Sequence, residues 1–116
     1  MKFDQVGLSD KEYTFESIRY ACESVGLVHA GQWDYERATF DHKIVNQGDI
    51  YYLRVLAYAV KGDIPSSDAV VKLLTPILGK HYYPHGVEYE GETFPQSVLD
   101  KCNRKLEMLK KALEEK

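Results

Sequence analysis

Two histidines and a row of glutamates lie close together in the segment GKHYYPHGVEYEGE, residues 79–92. Imidazole and carboxylate groups are ligands for zinc, so His81, His85 and Glu88 form a candidate metal set. Histidines four residues apart converge on one ion when a helix carries them, but Pro84 favours an extended or turning backbone before His85. We therefore predict a loop in this segment, with no metal site and no cofactor.

Aromatic rings and charges of both signs occur together in WDYER, residues 33–37. Trp33, Tyr35 and Arg37 would form the floor of a hydrogen-bonding pocket under a functional interpretation. Under a structural one they belong to a strand, with the rings packed inside and a surface ion pair that contributes little. Two further residues complete the candidate binding surface, together with His81, His85 and Glu88: Arg54, in an apolar run, and Tyr83, between the histidines.

No catalytic motif accompanies these residues. The nucleophile elbow GxSxG and the phosphate-binding patterns GxGxxG and GxxxxGK[ST] do not occur. Cys22 and Cys102 fall on apolar helix stripes, where a buried thiol acts as a small hydrophobic side chain. The sequence thus identifies no catalytic residue and leaves open whether the protein is an enzyme.

Composition places the chain among ordinary globular proteins. Its 116 residues suit one domain, 1–116, and its apolar and charged fractions are 44% and 28%. The net charge is −3, and six of the fifteen lysines and arginines lie in the last 16 residues, so an acidic body argues against a nucleic-acid partner. The longest apolar run is far shorter than a membrane helix, and the first residues lack the apolar core of a secretory signal, so we predict a cytoplasmic protein with no membrane partner.

Helical patterns occur at both ends of the chain. The first helix has a capping box at residues 9–12, a second candidate cap at Thr14, and Gly26 at its C-terminal end. The last has a capping box at residues 93–96. Both helices have apolar stripes at helical spacing, namely Phe15, Ile18, Cys22 and Val25, and Val98, Cys102, Leu106, Leu109 and Leu113.

Between the helices the apolar period changes to two. Residues 33–45 and 50–60 are rich in aromatic and β-branched side chains, and the cluster NQGD between them is typical of a hairpin turn. Residues 69–75 precede Pro76, which would break a helix, so we predict a third strand there rather than a helix. The prediction is an α+β fold: an antiparallel meander of three or more strands with the N-terminal and C-terminal helices packed on the sheet.

The second strand of the hairpin is apolar on both faces. The helices can cover the face that carries Tyr51, but the face with Tyr52, Leu56 and Tyr58 would then be exposed, which a monomer rarely tolerates. We therefore predict a homodimer that buries this second face. The alternative is that the loops around Pro65 and Pro84 fold back over it.

Several strings taken together, including GQWDYERATFD, IYYLRV and LLTPILGKHYYPHGVEY, resemble the YugN-like family of small bacterial proteins. The resemblance implies a compact cytoplasmic α+β domain and supplies no catalytic residue, cofactor or substrate. The function that fits best is a non-enzymatic binding or interaction module. The alternative is a metal-binding protein or small enzyme that uses His81, His85 and Glu88.

Overall fold

A computed structural model describes residues 1–30, 34–82, 86–89 and 93–114. In chain order its elements are a 3₁₀ turn (Asp4–Val6), β1 (Glu12–Thr14), α1 (Phe15–Ser24), β2 (Val28–Ala30), β3 (Arg37–Asn46), β4 (Asp49–Lys61), β5 (Val70–Leu73), β6 (Ile77–Tyr82), β7 (Gly86–Glu88) and α2 (Gln96–Glu114). The predicted α+β fold, with an antiparallel sheet and a helix near each end, is confirmed.

The thirteen-residue strand β4 organises the sheet. Along one edge it pairs with β3, which in turn pairs with β2. Its other edge is shared, because β6 pairs with Ile50–Arg54 and β5 pairs with Ala57–Lys61. The three-residue strands β1 and β7 extend the sheet beyond β5 and β6 respectively.

The turn between β3 and β4 sets the register of the central hairpin. Gln47 and Gly48 both have positive φ, 51° and 84°, as a two-residue type I′ turn requires. The closing pair is Asn46 and Asp49, and pairing continues outward without a bulge to Arg37 and Tyr58. The predicted hairpin is therefore present, with its first strand beginning at Arg37 rather than at residue 33.

The two faces of β4 differ in burial. Tyr51, Leu53, Val55 and Ala57 are buried, and every member of the two predicted helix stripes is buried as well. The stripes thus share one core with this face of the sheet. Tyr52, Leu56 and Tyr58, on the opposite face, are only half-buried.

Helix α1 begins at Phe15, one turn later than a cap at residues 9–12 would place it. The Thr14 hydroxyl accepts a hydrogen bond from the backbone N–H of Ser17 (3.2 Å), which makes Thr14 the N-cap. The capping box at residues 9–12 is wrong, because Glu12 already pairs with Lys72 of β5 as part of β1.

Side chains from β3 and α2 close the C-terminal end of α1. Gly26 has φ 85°, as predicted for the residue that ends this helix. Lys105 Nζ donates to the Val25 carbonyl (2.6 Å), and His42 Nδ1 donates to the Gly26 carbonyl (3.1 Å). Burial, and after it the charge of Lys105, lower the pKa of His42, so the ring is held in its neutral form.

The segment after residue 69 contains two strands. β5 and β6 are separated by the break at Pro76, so the preference for a strand over a helix is confirmed. The loop predicted for residues 79–92 is wrong over most of its described part, because 79–82 belong to β6, of which 79–81 pair with β4, while Gly86–Glu88 form β7. Helix α2 starts at Gln96, where the Pro95 carbonyl accepts hydrogen bonds from Val98 and Leu99.

Neither helix in the described part of the chain has the length and apolar composition of a bilayer-spanning segment.

Candidate interaction surface

The side of the sheet opposite the helices is the candidate surface, and we call it the open face. Alternation and register assign to it Val28 and Ala30 of β2, Arg37, Thr39, Asp41, Lys43 and Val45 of β3, Ile50, Tyr52, Arg54, Leu56, Tyr58 and Val60 of β4, Lys72 of β5, Ile77, Gly79 and His81 of β6, and Val87 of β7. No described helix packs against this side.

A charge-neutralised cluster lies at the centre of the open face. Arg54 donates to both carboxylate oxygens of Asp41, from Nε to Oδ1 (2.8 Å) and from Nη2 to Oδ2 (2.9 Å). Its Nη1 donates to the hydroxyl of Tyr89 (2.6 Å). The hydrogen bonds to Asp41 raise the pKa of Arg54, so the ion pair persists at any physiological pH. The apolar row of β4 therefore contains a cation whose charge is already paired.

Tyr89 reaches this cluster because Gly79 leaves room for it. A Cβ atom at Gly79 would lie 2.8 Å from two carbon atoms of the Tyr89 ring and would also clash with Val87. The ring thus fills the space that a side chain at residue 79 would occupy, and its centroid lies 5.9 Å from the Arg54 guanidinium. Burial raises the pKa of Tyr89, which keeps its hydroxyl protonated.

Apolar and aromatic side chains surround the Arg54 cluster. Tyr52 packs edge-on against His81, with ring centroids 6.0 Å apart. Near the margins of the face, three valines are largely exposed: Val28 (58%), Val45 (59%) and Val60 (45%). The open face combines a half-buried centre with exposed aliphatic margins. Arg37 is exposed at the start of β3, and Lys43 is exposed in the second half of the same strand.

The structure separates the residues that the sequence grouped as candidates. Arg54 and His81 lie on the open face and Arg37 lies at its end. Tyr35 is 60% exposed in the turn before β3 rather than inside a strand, so its predicted strand position is wrong. The reason is local, because Asp34 Oδ1 accepts the backbone N–H of Glu36 (2.8 Å) and turns the chain there. Trp33, Tyr83 and His85 lie outside the described residues.

The described members of the candidate metal set, His81 and Glu88, do not point toward a common site. His81 pairs with Val87, whereas Glu88 pairs with Lys80, so alternation directs His81 and Glu88 to opposite faces of the sheet. Across residues 1–30, 34–82, 86–89 and 93–114, no group of three His, Cys, Asp or Glu side chains is placed to hold a metal ion.

Both cysteines are buried free thiols. Burial raises the pKa of Cys22 and of Cys102 to about 12, which leaves neither as a thiolate at neutral pH. Their assignment as packing residues is confirmed.

A cleft of about 770 Å³ opens where β3 begins and β4 ends, and we call it the terminal cleft. Leu56, Tyr58, Val60 and Leu74 supply apolar and aromatic lining, and Thr39 and Ala30 are small neighbours on β3 and β2. Its charged lining consists of Arg37, Lys61, Asp34, Glu36 and Asp63. Among the predicted binding residues that the structure describes, Arg37 alone lines this cleft.

Asp41, Tyr89 and Gly79 contribute to the open face but are not among the candidate residues that the sequence predicts. Asp41 could have been found, because a two-residue turn at residues 47–48 places it directly opposite Arg54. Tyr89 and Gly79 could not, since their contact depends on the β6–β7 pairing that the sequence presented as a loop.

The fold and its open face define the class: a small α+β protein with a seven-stranded antiparallel sheet that helices cover on one side. The chain belongs to the YugN-like family, which its residues 5–109 match. The resemblance noted in the sequence is therefore confirmed.

Relatives of known sequence and structure agree with this assignment. The chain is 47% identical over 102 residues to the uncharacterized protein YlbA of Bacillus subtilis (strain 168), covering 87% of this chain and 85% of YlbA. It is 24% identical over 92 residues to the uncharacterized protein YugN of the same strain, covering 79% and 69%. The crystal structure of the uncharacterized conserved protein YugN from Geobacillus kaustophilus HTA426 has a TM-score of 0.86 at 43% identity, covering 99% of this chain and 96% of that one.

Proposed function

We propose that the protein is a non-enzymatic interaction module that forms a homodimer through the open face. The observation that supports this most strongly is the contrast between the two faces of β4. The face with Tyr51 is covered by helices, whereas no described helix covers the face with Tyr52, Leu56 and Tyr58, and these three side chains are only half-buried.

Apolar composition supports a protein partner for this face. Exposed aliphatic groups at Val28, Val45 and Val60 lie around half-buried tyrosines, and contiguous apolar patches on a protein surface commonly mark interaction sites. Tyrosine and arginine are also enriched in protein interfaces. A standard interface needs about 800 Å² from each partner, a modest share of the 6997 Å² accessible surface of this chain.

The distribution of charge favours a second copy over an acidic partner. Arg54 at the centre is neutralised by Asp41, so two copies can meet there without burying an unpaired charge. Arg37, the first residue of β3, lies at the end of the face, where an interface rim would leave it in contact with water. Two-fold pairing is also the commonest arrangement among soluble homo-oligomers.

Variants on the two sides of the sheet test the proposal. Leu56→Glu and Val45→Glu place a carboxylate on the open face, and each is expected to convert a dimer into a monomer in size-exclusion chromatography with light scattering. Met108→Glu is the matched control, because Met108 is 55% exposed on α2 and lies away from the open face. Circular dichroism must show an unchanged fold in all three variants.

Salt dependence separates a second copy from an acidic partner. Self-association through apolar groups with like charges at the rim should persist or strengthen as salt rises, because screening reduces the repulsion. Attraction to an acidic ligand or nucleic acid would instead weaken steeply. A dimer that dissociates at high salt, or that survives both open-face variants, would refute the proposed surface.

The competing hypothesis of a metal-binding protein or enzyme has its own test. Protein purified without an affinity tag would contain stoichiometric metal under that hypothesis, and His81→Ala would remove it. We expect neither result, because His81 packs against Tyr52 and Glu88 faces the other side of the sheet.

A cytoplasmic location is part of the proposal. Cys22 and Cys102 are free thiols, the state that cytoplasmic reductants maintain.

A further inference from the structure

The terminal cleft has the dimensions of a small-molecule site. Its volume of about 770 Å³ lies within the range of roughly 300–1,000 Å³ that is typical of ligand pockets. Backbone hydrogen bonds fix its rim, from Ala59 N–H to the Glu36 carbonyl (2.7 Å) and from Ile64 N–H to the Tyr35 carbonyl (2.9 Å). The cleft is thus a built feature of the β3–β4 end of the sheet.

The apolar side of the cleft is partly exposed to solvent. The Leu74 N–H donates to the Leu56 carbonyl (2.9 Å), which fixes the backbone of Leu74 beside β4. The Leu74 side chain is 41% exposed, and Val60 near the end of β4 is 45% exposed. Together with Leu56 these side chains form an aliphatic wall that an apolar group of a ligand would cover.

Charges of both signs line the same cleft without pairing. Arg37 and Lys61 form no ion pair with any residue in the described part of the chain. The carboxylates of Asp34, Glu36 and Asp63 are likewise without an ion-pair partner there. A purely anionic ligand would meet three carboxylates, and a purely cationic one would meet two cations, so only a ligand with both charges complements this lining.

We propose that the terminal cleft binds a small zwitterion with an apolar side chain, of the class of aliphatic α-amino acids. Arg37 or Lys61 holds the ligand carboxylate, the acidic residues hold its ammonium group, and the aliphatic wall covers its side chain. The site is complete within one chain, and because Leu56, Tyr58 and Val60 also belong to the open face, a ligand in the cleft and a second copy of the chain compete for these residues.

Leucine and two of its analogues test the proposal by calorimetry and by amide chemical shifts. 4-Methylpentanoate lacks the ammonium group of leucine, and 3-methylbutylamine lacks its carboxylate. Leucine is expected to bind saturably at millimolar concentration, and each analogue about tenfold or more weakly, because one set of charge-assisted hydrogen bonds is lost. Shifts should be confined to the residues that line the cleft, namely 36–39, 56–63, Ala30, Asp34 and Leu74.

Two variants test which residue binds each charged group of the ligand. Arg37→Gln should weaken the binding of leucine and of 4-methylpentanoate but not that of 3-methylbutylamine. Asp63→Asn should weaken the binding of leucine and of 3-methylbutylamine but not that of 4-methylpentanoate. Lys43→Gln is the control, since Lys43 is an exposed cation of β3 outside the cleft. Equal affinity for all three compounds, no saturable leucine binding, or shifts centred elsewhere would overturn the proposal. Binding that persists in monomeric Val45→Glu would separate this site from dimer formation, whereas its loss there would contradict a site complete in one chain.

Discussion

The Arg54–Asp41 ion pair should couple the central strands of the sheet by a measurable free energy. Its side chains are 29% and 12% exposed, and two short hydrogen bonds join them. A charge-assisted hydrogen bond contributes about 1.5–3 kcal/mol when fully buried. Because solvent reaches Arg54, we discount this to a coupling of about 1–2 kcal/mol for the pair.

A double-mutant cycle measures this coupling. Asp41→Ala, Arg54→Met and the double variant are unfolded in urea at one protein concentration, since self-association would make stability concentration-dependent. Of the three variants, Asp41→Ala alone should lower the free energy of unfolding most, because it leaves the half-buried guanidinium of Arg54 without its carboxylate partner. The double variant should recover part of that loss.

A second ion pair in the same sheet provides the control. Lys80 Nζ lies 3.7 Å from Asp49 Oδ2, and the Asp49 side chain is 51% exposed. The cycle of Asp49→Ala and Lys80→Met should give no measurable coupling. If the Arg54–Asp41 cycle gave no more than this control, the open face would not have the charge-neutralised centre on which the dimer proposal depends.

Three further predictions concern the core, the end of α1 and the β6 strand. Leu106→Ala should lower the free energy of unfolding by ~2–5 kcal/mol, because Leu106 is fully buried. Met108→Ala, on the exposed side of the same helix, should change it little. A loss below about 1 kcal/mol in Leu106→Ala would contradict the place of Leu106 in the core. Stability should fall as the pH drops below about 6.5, because the unfolded chain binds a proton at His42 more readily than the folded one, and His42→Gln should flatten this slope in urea titrations at several pH values. Gly79→Ala should lower the melting temperature because its Cβ would meet both Val87 and the Tyr89 ring, and adding Tyr89→Ala should remove only part of that effect, since the clash with Val87 remains.

The helices and the central hairpin were predictable because each repeats one pattern over many residues. Cys102, Leu106 and Leu109 fall on one face of a nineteen-residue helix, and any other arrangement would expose them. The turn at residues 47 and 48 needs two left-handed residues, and Gly48 supplies one of them without strain. A pattern of apolar residues that repeats over a whole helix or strand therefore predicts the element even where single residues are ambiguous.

The short edge strands could not be predicted, because three residues are too few to show a period. β1 was mistaken for a helix start since Ser9 and Glu12 have capping-box spacing, but pairing with β5 prevailed over that local preference. The β6–β7 hairpin was mistaken for a loop since Pro84 favours a turning backbone, and nothing in the local sequence shows that Gly79 allows Tyr89 to lie against the strand. Both errors arise from tertiary contacts that the local sequence does not contain.

Sedimentation equilibrium of the unaltered protein over a range of micromolar concentrations tests most directly whether a second copy covers the open face. A homodimer should have a mass twice the 13.3 kDa of one chain, which should fall toward the mass of one chain on dilution and stay at that mass in Leu56→Glu. A mass of 13.3 kDa at every concentration would contradict it.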